Sequence, residues 1–285
     1  MMNWRIATIG TALAVALAGC AAPAGSTAPP EGVSVAVYQT RTDVGPRRLE
    51  LSIQNGSTEP LHVTGARLFS AQFTETAVWM KASTTIPAGA TIDLPVLLPA
   101  PDCTAADPQP IVEFDYTRED GSTGTARTVA DDRLDRLPAL RAEDCLAKAV
   151  SDIVDLSITA PPRAGLINGV PVIEVELAAV PTGATGSVEL STLSSTTLFM
   201  APDPLTGMAT NEQPIGVTIA GTDDPSVVTL FLVPGRCDPH AIQEDKRGTI
   251  MPIDVKVGDL EGRIYVPSAD AVRGALYQFV TNACS

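Results

Sequence analysis

The sequence predicts an all-β fold made of two tandem antiparallel β-sandwiches. Three observations lead to this prediction. Short segments in which apolar and polar residues alternate recur along the 285-residue chain, with turn residues between them. Aromatic residues make up only 4% of the sequence, whereas Ala, Thr, Val, Gly and Pro are abundant, and this composition favours short strands and turns. The order of strands, prolines and cysteines in the second half repeats that of the first half.

The first half contains the alternating segments expected of half-buried strands. Alternation points one set of side chains toward a core and the other toward solvent. The predicted strands cover residues 33–37, 49–53, 61–68, 92–98, 111–116 and 124–129. Turns are predicted at residues 54–57, 87–90 and 119–121, and a helical piece at 131–148. Short strands at intervals of about 8–12 residues are typical of immunoglobulin-like sandwiches.

The second half shows a similar series of strands. They are predicted at residues 153–158, 170–177, 188–190, 215–219, 227–233, 253–257 and 262–266. The stretch between residues 191 and 214, with Pro202, Pro204 and Gly207, is predicted to be a long polar loop. Val272, Leu276, Phe279 and Val280 follow at helical spacing and predict a C-terminal helix packed on its own sandwich.

The two halves match best around residues 94–103 and 228–237. Each of these segments is a strand followed by a proline and then a cysteine. Each is followed in turn by a strand, a glycine-containing hairpin, a further strand, a helical piece and a second cysteine. We therefore predict a tandem repeat of one domain, with β-sandwich domains at residues 33–150 and 151–285.

Four of the five cysteines are candidates for disulfides. Four cysteines allow three pairings, and the repeat selects Cys103–Cys145 and Cys237–Cys284. On the chain-entropy model each would stabilise its domain by about 3–4 kcal/mol. A metal site is the alternative, but it would require closely spaced ligand pairs, which this sequence lacks.

The fifth cysteine, Cys20, directly follows a predicted secretory signal. Arg5 lies in a short positive head, residues 6–17 form an apolar run, and Leu17-Ala18-Gly19-Cys20 follows. This run resembles the lipobox of bacterial lipoproteins, and the Ala, Asp and Arg bias of the whole chain resembles actinobacterial proteomes. The resemblance implies cleavage before Cys20, acylation of its thiol, and attachment to the outer face of the cell membrane. An ordinary signal peptide with a chance cysteine remains the alternative.

The resulting organisation is a lipoprotein signal peptide at residues 1–19 and a Pro-rich flexible tether at 20–32, followed by the two domains. A membrane-spanning helix is disfavoured because Thr, Gly and Pro dilute the uncharged run. The net charge of −14 argues against nucleic-acid binding and against direct contact with anionic lipid. It suits a globular head that is held at the membrane by its lipid.

One segment of the second domain, residues 237–248, is richer in functional groups than its counterpart in the first. Asp238 is a good N-cap, and Gly248 can end a helix of two turns. His240 and Glu244 would then lie on one face. A capped surface helix without further role is the alternative interpretation, just as His62 is predicted to be only the solvent-facing residue of a strand. The candidate residues for contact with a partner or ligand are Asp238, His240, Glu244, Asp245 and Lys246.

The sequence contains no nucleophile elbow, paired-histidine metal motif or phosphate-binding glycine loop. We therefore expect a non-enzymatic, extracytoplasmic binding or scaffold module with no cofactor and no metal, whose partner is another envelope protein. The first alternative is a lipoprotein that binds a small molecule or a metal ion through the His240 helix. The second, an extracytoplasmic hydrolase, is disfavoured because no acid–base constellation is visible.

Overall fold

The alternating segments form strands that pair into four largely antiparallel sheets, two in each half of the chain, as seen among the described residues. The computed structural model describes residues 27–105 and 109–285. The predicted signal peptide, Cys20 and the first part of the tether lie outside these residues. Within them, the predicted all-β fold of two tandem sandwiches is confirmed.

The described residues of the first sandwich form nine strands and two helices. The strands are β1 (Val33–Tyr38), β2 (Arg48–Asn55), β3 (Leu61–Phe69), β4 (Ala77–Val78), β5 (Thr84–Ile86), β6 (Thr91–Leu97), β7 (Ile111–Thr117), β8 (Thr123–Val129) and β9 (Asp131–Asp132). The helices are α1 (Arg41–Val44) and α2 (Arg136–Ser151). One sheet has the order β6-β2-β1-β9, with β9 parallel to β1, and the other has the order β4-β3-β7-β8, with β5 also pairing with β3.

The second sandwich contains ten strands and two helices. The strands are β10 (Val154–Ser157), β11 (Arg163–Ile167), β12 (Val170–Pro181), β13 (Ser187–Ser194), β14 (Phe199–Pro202), β15 (Ala209–Thr210), β16 (Glu212–Ala220), β17 (Ser226–Pro234), β18 (Ile250–Val257) and β19 (Leu260–Pro267). The helices are α3 (Pro239–Gln243) and α4 (Asp270–Ala283).

The repeat extends to the topology of the sheets. The order β17-β12-β10 in the second sandwich matches β6-β2-β1 in the first, and β16-β13-β18-β19 matches β5-β3-β7-β8. The sequence shows this similarity clearly only around the cysteines, because two sandwiches can share strand order while their core residues differ.

Each sandwich buries its own hydrophobic cluster between its two sheets. Alternate residues of the paired strands supply it, as their period of two requires. The largest side chains that are almost fully buried include Leu49, Leu51, Ile53 and Phe114 in the first sandwich and Leu177, Leu190 and Phe199 in the second.

Two disulfides join the helix that ends each repeat to the strand end before the hairpin. They are Cys103–Cys145 and Cys237–Cys284, the pairing that the repeat predicts. Disulfides of this structural kind are typical of proteins that fold outside the reducing cytoplasm. None of the helices in the described part of the chain is long and apolar enough to cross a membrane.

Helix α2 joins the two sandwiches. The carboxylate of Asp132 caps its first turn by accepting from the N–H groups of Arg136 and Leu137 at 2.9 and 2.8 Å. Leu140 lies in the core of the first sandwich, whereas Leu146 and Val150 lie in the core of the second. The helix is therefore part of both cores.

Outside the α3 segment, the structure adds several features that the sequence does not predict. The expected polar loop contains β14 and β15, since Phe199 and Ala201 are buried there. A hairpin strand, β11, precedes the turn at Asn168-Gly169 and had no alternating pattern to reveal it. The described end of the tether packs on the first sandwich: Pro30 is buried, and the Arg127 N–H on β8 donates to the Thr27 carbonyl at 2.8 Å.

Candidate functional site

The segment singled out from the sequence begins as predicted and ends earlier. Asp238 is the N-cap of α3, and its Oδ1 accepts from the His240 N–H at 3.0 Å. The helix then stops at Gln243 rather than continuing to Gly248. The cause is Asp245, whose Oδ1 accepts from the N–H groups of Arg247 and Gly248 at 3.2 and 2.7 Å and turns the chain.

Asp245 is held by the protein's own donors. Its Oδ1 also accepts from the Thr197 hydroxyl at 3.0 Å, and its Oδ2 accepts from the Tyr277 hydroxyl of α4 at 3.0 Å. Burial, followed by this hydrogen bond, raises the pKa of Tyr277. Asp245 thus ties the end of α3 to the rest of the second sandwich.

The remaining polar side chains of this segment line a groove that we call the outer cleft. It lies between the two sandwiches, with Arg41 and Thr42 at the start of α1 on one side and the α3 segment on the other, and its volume is about 320 Å³. In the described part of the chain, no hydrogen bond or ion pair is formed by the side chains of His240, Glu244, Lys246 and Arg41. These groups are available to an external partner.

A second groove, the inner cleft, continues on the other side of Arg247. It has a volume of about 260 Å³ and lies between α2 and the end of β19. Its apolar lining includes Leu140, Ala147, Ile250, Ile264 and Pro267. Arg247 lines both clefts, so the two grooves meet at this residue.

Three arginines of the inner cleft already have carboxylate partners. Arg47 pairs with both oxygens of the buried Asp144. The two Arg136 Nη atoms donate to Glu143 Oε1 and Oε2 at 2.8 and 2.9 Å, which raises the pKa of Arg136. Arg263 Nε and Nη2 donate to Asp254 Oδ1 and Oδ2 at 2.7 and 3.0 Å.

Arg247 differs from these three. Its guanidinium carbon lies 4.7 Å from the centre of the Tyr265 ring, and within the described ranges its side chain has no carboxylate partner. Stacking on an aromatic ring is favourable for a guanidinium and leaves its N–H edge free to donate.

A separate cluster of titratable groups lies on the first sandwich. Tyr38 and Glu50 face each other across β1 and β2, and the Tyr38 hydroxyl donates to Asp93 Oδ2 at 2.5 Å. This hydrogen bond is the main reason that the pKa of Tyr38 rises to about 12. Burial, together with the charges of Asp43 and Asp93, raises the pKa of Glu50 to about 7.

The other sequence-based expectations concern histidine and metal ligands. His62 is exposed on β3, as expected, and its Nδ1 lies 3.0 Å from the Thr85 hydroxyl. Residues 27–105 and 109–285 contain no group of three or more His, Cys, Asp or Glu side chains placed to hold a metal ion.

The segment that the sequence singles out lines one wall of the outer cleft, whereas no sequence pattern points to the inner cleft. The outer cleft is lined largely by one contiguous segment, residues 236–247. The arginines of the inner cleft come from positions far apart in the chain, and Tyr265 is one of several alternating residues on β19. No local pattern signals such a site.

Comparison with known proteins gives only weak similarities. No protein-family model matches the chain, and no curated protein matches it. Among solved structures, red sea bream transglutaminase is similar at 10% identity and a TM-score of 0.23, over 85% of this chain and 32% of that one, so the chain spans about a third of its length. The chaperone–tip adhesion subunit complex of the Csu pili of Acinetobacter baumannii gives 11% identity and a TM-score of 0.21, over 79% and 93%. The YadV chaperone gives 14% and 0.23, over 81% and 97%. Identities and scores this low carry no activity over to this chain. Its tandem sandwich fold is established by its own strand pairing.

Proposed function

We propose that this protein is a non-catalytic binding module of the bacterial cell envelope, anchored through a lipid on Cys20, and that it recruits a protein partner at the outer cleft. The observation that carries the proposal is the set of free polar groups at the junction of the two sandwiches. His240, Glu244 and Lys246 on one wall and Arg41 on the other keep their donors and acceptors unused.

Groups of both charge signs favour a polar protein surface over a simple ion. Arg41 and Lys246 can donate hydrogen bonds to carboxylates of a partner, whereas Glu244 can accept hydrogen bonds from the partner's N–H groups. Because Arg41, His240, Glu244 and Lys246 are exposed, each contact contributes modestly, and the pattern of charges gives specificity more than affinity.

The shared helix α2 supports this role. A partner that bridges the cleft must contact both sandwiches at once, and a fixed arrangement of the two walls lowers the ordering cost of binding. Since α2 belongs to both cores, the walls are held together before the partner arrives.

The partner is tested by crosslinking in intact cells followed by affinity capture. We expect the wild-type protein to capture a defined envelope protein and the variant His240→Ala/Glu244→Ala to lose it. Asp224→Ala is the matched control, because Asp224 is an exposed carboxylate before β17, at the end of that strand opposite to α3. Equal capture by wild type and the double variant, or no specific capture by either, would contradict the proposal.

The anchor is tested separately by fractionation. We expect Cys20→Ala to move the protein from the membrane fraction to the soluble extracytoplasmic fraction and to abolish incorporation of a labelled fatty acid. Membrane retention with full labelling in this variant would exclude Cys20 as the anchor. A thermal-shift screen with zinc addresses the metal-binding alternative, since a His240-dependent shift would support it.

A further inference from the structure

We infer that the inner cleft is a binding site for a small organic anion, a carboxylate attached to a short apolar body, with Arg247 as its anchor. This inference does not depend on the proposed partner site, because it uses neither His240 nor Glu244. It starts from the one guanidinium of the inner cleft that has no carboxylate partner among the described residues.

The orientation of Arg247 suits recognition of a carboxylate. The Tyr265 ring, 4.7 Å away, restricts the guanidinium to a plane. A planar guanidinium binds carboxylate through two parallel N–H···O hydrogen bonds, and restriction in advance reduces the entropy lost on binding. Tyr265 is therefore a positioning residue in this site.

The neighbouring carboxylates do not compete for Arg247. Glu143 is engaged at both oxygens by Arg136, and Asp144 is engaged at both by Arg47. These pairs neutralise the acidic side chains that line the cleft. Their second role is to leave Arg247 without an internal counterion.

The charge of the cleft contrasts with that of the protein. Its lining carries four arginines, at positions 47, 136, 247 and 263, and two carboxylates, at 143 and 144. Asp254 pairs with Arg263, so among the described residues Arg247 carries the uncompensated positive charge of the cleft, on a chain whose net charge is −14. A local positive potential on an acidic protein attracts small anions into the cleft, while the surrounding surface repels large polyanions.

The remaining lining explains why the ligand has an apolar part. Leu140, Ala147, Ile250 and Pro267 form the walls around the arginines. The volume of about 260 Å³ lies just below the range of about 300–1,000 Å³ that is usual for drug-sized ligands. A short aliphatic or aromatic carboxylate fits these limits.

The test uses the full extracytoplasmic chain and isothermal titration calorimetry with octanoate as the probe. We expect one octanoate per chain, with 1-octanol and acetate each binding at least about tenfold more weakly because each lacks one of the two recognised parts. Arg247→Gln should weaken octanoate binding by about tenfold or more, and Arg247→Lys should give an intermediate loss because it keeps the charge without the planar fork.

Two further variants distinguish loss of the Arg247 contact from nonspecific effects of removing an arginine. Arg273→Gln, which removes an exposed arginine of α4 outside the cleft, should bind octanoate like the wild type. Tyr265→Leu should weaken binding severalfold while Arg247 is retained. Each variant is compared at an unchanged melting temperature without ligand. Equal binding of octanoate and 1-octanol, or wild-type affinity in a folded Arg247→Gln variant, would overturn the inference, as would no binding of octanoate to the wild type at millimolar concentration.

Discussion

The helices α2 and α4 occupy equivalent places in the two repeats, yet they are used differently. Each follows the last strand of its sandwich, and the second cysteine of the disulfide lies within α2 and directly after α4. All four buried residues of α4, Val272, Leu276, Phe279 and Val280, lie in the core of its own sandwich. In α2 the buried residues are divided between two cores.

The difference lies in what each helix has to cover. The buried residues of α4 pack on a single sandwich, so its whole apolar face turns toward one core. The face of α2 must satisfy two sandwiches, and it also carries the buried Asp144, which requires Arg47 as a partner. Both repeats thus have a helix at the same place, and the sandwiches that surround each helix determine how it packs.

The largest expected effect comes from removing the disulfides. The two loops close over similar separations, 42 and 47 residues, so Cys103→Ser/Cys145→Ser and Cys237→Ser/Cys284→Ser should each cost about 4 kcal/mol. Hydrogen exchange should then distinguish the helices. We expect faster exchange in both sandwiches when α2 is released, and only in the second sandwich when α4 is released. Faster exchange confined to the first sandwich in Cys103→Ser/Cys145→Ser would show that α2 does not couple the two sandwiches.

The next effect concerns single core residues. Leu276→Ala in α4 and Leu146→Ala in α2 should each destabilise the second sandwich by about 3 kcal/mol, since both side chains are buried in the same cluster. Leu140→Ala should instead destabilise the first sandwich. Denaturant unfolding, with hydrogen exchange measured separately in each sandwich, checks which sandwich each residue stabilises. Destabilisation of only the first sandwich by Leu146→Ala would contradict the prediction.

A smaller effect is expected from the ion pair between the buried Asp144 of α2 and Arg47, whereas the ion pair within α4 is exposed. Arg47→Gln leaves Asp144 buried without its partner and should cost about 2 kcal/mol, because the arginine is itself partly exposed. Arg273→Gln on α4 is the control, since Asp270 is 91% exposed and its loss of a partner should be nearly neutral. A double-mutant cycle with Asp144→Asn measures the coupling energy between Arg47 and Asp144. Additive effects of the two substitutions would show that the ion pair does not contribute to stability.

The smallest effect is a dependence on pH in the first sandwich. The pKa of Glu50 is raised to about 7 in the folded protein, so the folded state favours its neutral form. The stability that protonated Glu50 contributes is therefore fully present below about pH 4.5, and it is lost as the pH rises to about 7. Glu50→Gln should be about 1 kcal/mol more stable than the wild type at pH 8 and equal to it at pH 4, after allowance for partial exposure. Melting temperatures measured across this range check the sign, with Glu189→Gln, an exposed residue of β13, as the control.

Much of the fold follows from local patterns. Period-two alternation located most strands of the central sheets, because each has one buried and one exposed face. The repeat around Cys103 and Cys237 selected the disulfides, and helical spacing located α4. These features depend on residues close together in the chain or on a direct comparison of its halves.

The rest depends on tertiary contacts that have no local signature. β11 has mostly exposed residues and forms because it pairs with β12. α3 ends early because Asp245 is drawn into contacts with Thr197 and Tyr277. Arg247 falls near the end of the helix that the sequence predicts up to Gly248, and its position over Tyr265 brings together two residues that are far apart in the chain.

The division of α2 between two cores also bears on modularity. A duplicated domain can normally be excised, shuffled or fused because each copy closes its own interior. Here a cut after residue 150 would leave the second copy without Leu146 and Val150, and a cut before 136 would leave the first without Leu137 and Leu140. The two repeated halves therefore form one structural unit, and deletion or exchange of one half would also remove core residues from the other.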